Sequence, residues 1–81
     1  MAIYELRKMA GNVWQLAGGE LKEPLRYAEE QGGSDGAKRM VGFLAQLTGA
    51  EMRIYNEAGS LIETKMFREG VRPGERKLGN P

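Results

Sequence analysis

The sequence predicts an α+β fold, a four- or five-stranded antiparallel sheet with one helix laid across one face, in the chain order β-β-(β)-α-β-β. Short stretches that alternate apolar and polar residues lie toward both ends of the chain, and a stretch with helical apolar spacing lies between them. Glycine-rich punctuation separates these segments, as turns require.

The first strand is read at Ile3–Arg7, where Tyr4 and Leu6 share one face and Glu5 and Arg7 the other. Met9-Ala10-Gly11-Asn12 makes a turn, since glycine and asparagine best tolerate positive φ. Val13–Leu16 is the second strand, with Trp14 and Leu16 on its buried face, and Gly18-Gly19 ends it. Pro24 argues against a helix interior or a central strand, so Leu25 and Tyr27 belong to a short edge strand, with a helical turn through Leu25–Glu30 as the competing reading. Ser34 is the expected helix N-cap, with Asp35 beside the positive end of the dipole. Ala37, Met40, Val41, Leu44 and Leu47 form the apolar stripe and Phe43 widens it, giving a helix of about four turns that closes at Gly49. Glu51–Asn56 alternates again, 56–60 is a hairpin loop, and Leu61–Phe67 is the last strand, either face of which suits a core. The helix stripe is expected to meet Trp14, Leu16, Met52 and Ile54, leaving the opposite sheet face open.

At 81 residues the chain holds one domain, placed at residues 1–68, with a disordered tail at 69–81. The tail segment from Arg68 carries Arg72, Arg76 and Lys77 against Glu69 and Glu75, a weak basic bias in a chain whose formal net charge is +1. Neither a secretory leader nor a membrane span is expected from the charged opening and the lack of long apolar runs.

The chain has no cysteine, which removes disulfides, thiolate metal sites and thiol nucleophiles and fits a reducing cytoplasm. It also has no histidine, the commonest general base and transition-metal ligand. An enzyme is therefore not expected, and neither is a cofactor or a metal. Glu29 and Glu30 beside Asp35 read as solvated and helix-capping charge rather than a cation site. Gly32, Gly33 and Gly36 lack the lysine and hydroxyl pair of a nucleotide-binding loop.

Function is then expected on the open sheet face, with Arg53, Tyr55, Lys65 and Phe67 as its candidate residues. Leu61, Phe67, Tyr55 and Ile3 would make an apolar patch suited to a homodimer or another protein, and a free strand edge suits an added strand. This interaction reading ranks first. Basic and aromatic residues on a sheet also suit single-stranded nucleic acid, which ranks second because the net charge is near zero.

The second-strand Trp14, the Ser34-x-x-Ala37 helix start, the helix-ending Gly49, the apolar strand at Met52–Tyr55, the hairpin Gly59 and a charge-rich closing strand occur together. In this the chain resembles a family of short bacterial ββ-α-ββ domains of unknown function, over roughly residues 3–70. The sequence departs from that pattern in its long link between Trp14 and the helix and in Gly36 and Gly42 within it. The resemblance implies a fold and no chemistry.

Overall fold

The structure is a computed structural model that describes residues 1–70. Its elements are β1 (Ala2–Met9), β2 (Val13–Gly18), β3 (Leu25–Ala28), a 3-10 turn at Glu29–Gln31, α1 (Gly33–Leu44), β4 (Ala50–Tyr55) and β5 (Leu61–Phe67). The succession matches the expected one, with the third strand present as an edge and the 3-10 turn after it. Both readings of the Pro24 region therefore hold part of the truth.

The sheet has five strands in the order β3-β2-β1-β4-β5. It is mixed, which corrects the antiparallel expectation. β1 pairs antiparallel with β2 and β2 with β3, β4 pairs antiparallel with β5, but β1 and β4 run parallel, Tyr4 opposite Met52 and Leu6 opposite Ile54. The order across the sheet also departs from the chain succession, because β1 lies in the middle. The cause is α1. Its 12 residues span about 18 Å, enough to carry the chain back along the sheet to the end from which β3 started. The next strand must then run parallel to β3, hence to β1, and the free side of β1 receives it.

The turn residues do what their chemistry allows. Gly11 and Asn12 take φ of 83° and 59° in the β1–β2 turn. In the last hairpin Asn56 closes the loop twice, its N–H donating to the Ser60 carbonyl at 2.9 Å and its Oδ1 accepting from the Ser60 N–H at 2.9 Å. Gly19 has φ 54°, and a Cβ there would fall inside the Tyr4 ring. The Tyr4 hydroxyl accepts the Glu20 N–H at 3.1 Å, so the β2–β3 connection wraps the end of this buried ring.

The helix begins and ends differently from expectation. Its N-cap is Gly32 in the left-handed region, and Ser34 sits inside the first turn without capping it. The chain arrives through the 3-10 turn, and only glycine makes the sharp left-handed change from that turn into α1 without strain. At the other end α1 stops at Leu44, so its length is nearer three turns than four, and Leu47 is 87 % exposed in the loop beyond. Gly49, at φ 76°, still closes this segment, donating to the Ala45 carbonyl at 2.7 Å.

The core lies between α1 and one sheet face. Tyr4, Leu6, Leu16, Met52, Ile54 and Ala50 come from the sheet, and Ala37, Val41 and Ala45 from the helix side. Gly33, Ala37, Val41 and Ala45 recur every fourth residue, so a row of small side chains faces the strands and lets the helix approach closely. Trp14, expected in the core, is half-buried at its margin.

The tail expectation for 71–81 falls outside the described residues. Glu69 and Gly70, assigned to that tail, form a turn in which the Gly70 N–H donates to the Gln46 carbonyl at 2.7 Å.

Candidate functional site

Period-two alternation sends the strand residues that do not face α1 to the open side of the sheet. The register arranges them in rows. One row runs Arg26, Gln15, Arg7, Tyr55 and Leu61, the next Ala17, Glu5, Arg53 and Thr64, and the third Ile3, Glu51 and Met66.

Two charge pairs on this face run along their own strands. Arg7 Nη2 donates to Glu5 Oε1 at 3.1 Å, and Arg53 Nε to Glu51 Oε2 at 2.6 Å. The Arg7 guanidinium also lies 4.1 Å from the centre of the Tyr55 ring, a neighbour only because β1 and β4 are parallel. The hydrogen bond to Glu51, and then its negative charge, raise the Arg53 guanidinium above its already high ordinary pKa. Arg7 and Arg53 are therefore already engaged on this face, by carboxylates and, for Arg7, by a ring.

The four expected site residues do not share a face. Arg53 and Tyr55 lie on the open side. Lys65 stands opposite Met52 and Phe67 opposite Ala50, both core residues, so Lys65 and Phe67 point to the helix side. Phe67 is half-buried and packs against the core, and Lys65 Nζ lies 5.6 Å from its ring centre. The sequence left the orientation of this strand open because β5 alternates weakly, and the register settles it. A shift between Ile54 and Tyr55 brings Leu61 opposite Tyr55, so Leu61 borders the open face as expected while Phe67 does not.

What the sequence reading missed is the exposure of β5 on both sides. The strand has one paired edge, toward β4, and an outer edge that no described strand pairs. Leu61 is 53 % exposed and Ile62 and Met66 are each 56 % exposed, a concentration of apolar surface on one seven-residue strand. The weak alternation was the available signal, since a strand buried on neither face is under no pressure to alternate. α1 packs over β1 to β4 and meets β5 through the ion pair from Lys38 Nζ to Glu63 Oε1, at 3.9 Å. The opposite sheet edge differs. β3 has four residues and follows Pro24, which has no N–H to offer a partner strand.

Other candidates are smaller. A shallow groove lined by Met9, Val13, Arg26, Ala28 and Gln31 closes one end of the open face. Exposed Phe43, in the last turn of α1, and Leu47, in the loop after it, form a second apolar patch. The carboxylates singled out near the helix are structural in part, for Glu29 Oε2 accepts the Trp14 indole N–H at 2.6 Å.

The architecture defines a small α+β protein with a mixed sheet, one face covered by the helix and an outer edge left unpaired among the described residues. No family model, curated protein or solved structure gives a significant match to the chain. Among the described residues no helix is long and apolar enough to cross a membrane.

Proposed function

We propose that this protein is a small non-enzymatic interaction module that associates, with itself or with another protein, through the β5 side of its sheet. The observation that carries this reading is the exposure of Leu61, Ile62 and Met66 on a strand whose outer edge has no partner among the described residues. Unpaired N–H and C=O groups on such an edge form a template for a further strand, and adjacent apolar side chains add burial on pairing. The resemblance to short bacterial domains is compatible with this role and adds no residues to it.

Single-stranded nucleic acid is the weaker reading. Tyr55 with Arg7 and Arg53 would offer a stacking surface, but Glu5 and Glu51 already hold those arginines and would repel phosphates. Lys65, which the sequence grouped with them, points away.

Amide NMR of the labelled protein across a concentration series, repeated with a mixed single-stranded oligonucleotide at low and high salt, tests the two. Association through β5 gives concentration-dependent shifts at 61–67 that persist at high salt. Oligonucleotide shifts at Arg7, Arg53 and Tyr55 that fade with salt would move the assignment to nucleic acid. A chain that stays monomeric at the highest concentration and recovers no partner would overturn the proposal.

A further inference from the structure

We infer that the partner of β5 is β5 of a second copy of this chain, paired antiparallel about a two-fold axis at Thr64 to make a continuous ten-stranded sheet. This deepens the self-association form of the function proposed above and rests on it.

The argument starts from the strand's own sequence, Leu61-Ile62-Glu63-Thr64-Lys65-Met66-Phe67. Under antiparallel self-pairing centred on Thr64, Glu63 of each copy faces Lys65 of the other, Ile62 faces Met66, and Thr64 faces Thr64. Opposed residues then match in charge, in apolar character and in hydroxyl character, which are the pairs that stabilise neighbouring strands.

Neighbouring registers lose this match. A slip that centres the pair on Glu63 sets carboxylate against carboxylate, and one centred on Lys65 sets ammonium against ammonium. Parallel in-register pairing opposes both like-charged pairs at once. Charges that merely protect an edge act by repelling a copy of themselves, whereas a Glu and a Lys two positions apart are self-complementary.

The faces agree as well. Glu63 and Lys65 lie on the helix side with Phe67, while Thr64 and Met66 lie on the open side. Pairing centred on a residue keeps each side chain on its own face, so the two-fold axis stands perpendicular to the sheet and both helices lie on one side. They do not obstruct the seam, since α1 covers β1 to β4 and reaches β5 through Lys38 and Glu63. Glu63 then stands between Lys38 of its own chain and Lys65 of the other. The register shift falls at Ile62, which stands opposite no β4 residue, so the contact of Ile62 with Met66 closes the regular pairing and Leu61 flanks the seam. A seam of this length buries less than a large obligate interface, so the dimer is expected in the roughly micromolar range.

The test is a charge exchange on the full chain, read by sedimentation equilibrium with circular dichroism as the check on folding. Lys65→Glu and Glu63→Lys each oppose like charges and should weaken self-association roughly tenfold, since two symmetric pairs change from attraction to repulsion. An equimolar mixture of the two variants should recover wild-type affinity as a heterodimer, and the double exchange Glu63→Lys/Lys65→Glu should recover it as a homodimer. The native chain has no cysteine, so Thr64→Cys should cross-link to itself on oxidation faster than Glu57→Cys in the hairpin loop. A dimer whose affinity ignores both single charge variants, together with a Thr64→Cys chain that does not cross-link, would overturn the β5 register while leaving self-association in place, with Phe43 and Leu47 the next surface to examine. A monomer at every concentration would overturn the inference and the self-association on which it rests.

Discussion

Trp14 reaches from the sheet margin to Glu29, and that single hydrogen bond ties β2 to the 3-10 turn that launches the helix. Glu29→Ala should cost about 1 kcal/mol in urea denaturation and red-shift the tryptophan emission, with Glu29→Gln recovering most of both. Tyr27 is half-buried against the core, and its ring lies 3.1 Å from where a Cβ on Gly36 would stand. A side chain at Gly36, within the helix, would crowd this ring. Burial raises the Tyr27 phenol above its ordinary pKa. The unfolded chain therefore loses this proton at lower pH than the folded one, so stability is complete below the ordinary tyrosine range and declines as pH rises through it. Tyr27→Phe should flatten that alkaline decline, as followed by urea midpoints at neutral and alkaline pH. Gly19→Ala combines a positive φ with a methyl group directed into the Tyr4 ring, and should cost roughly 2 kcal/mol or more in the same assay.

Among the elements, β4 and β5 are neighbours with opposite energetic roles. Met52 on β4 is fully buried, and Met52→Ala should lower stability by roughly 2–5 kcal/mol, the cost of a truncated core side chain. Met66 is 56 % exposed on β5, and Met66→Ser should leave stability within about 0.5 kcal/mol. The same substitution should weaken association, because it removes apolar surface from the strand that carries it. Measuring unfolding and sedimentation on both variants separates the two roles. A Met66→Ser chain that unfolds early and associates normally would place Met66 in the fold rather than in the interface. The surface ion pairs of Arg7 and Arg53 contribute little to this balance, since exposed pairs are typically worth under about 1 kcal/mol.

Across the full sheet, the central position of β1 and β4 predicts the pattern of protection. Hydrogen exchange should be slowest at the core positions Tyr4, Leu6, Met52 and Ile54 and fastest along the outer edge of β5 in dilute solution. Raising the protein concentration should slow exchange at Ile62–Met66 while leaving β3, the other edge, unchanged. Slowing at β3 instead would place association on the opposite side of the sheet.

Local residue chemistry was enough to place the succession of elements and the buried face of β2 and β4. Alternation put Tyr4 and Leu6 on one face of their strand and Leu16, Met52 and Ile54 on the buried side, and the hairpin at 56–60 and the left-handed Gly11, Asn12 and Gly49 followed from the residues themselves. These features depend on neighbours in the chain, which one sequence contains in full. Strand pairing depends on contacts between distant segments, so the parallel β1–β4 pair, which follows from the path of α1, emerged only in the folded molecule. The same holds for the candidate surface. Arg53 and Tyr55 parted from Lys65 and Phe67 because register, not proximity in sequence, assigns a side chain to a face. Only the register also separated the face that meets the helix from the edge that meets no described strand, and a strand buried on neither side carries no alternation from which its role could be read.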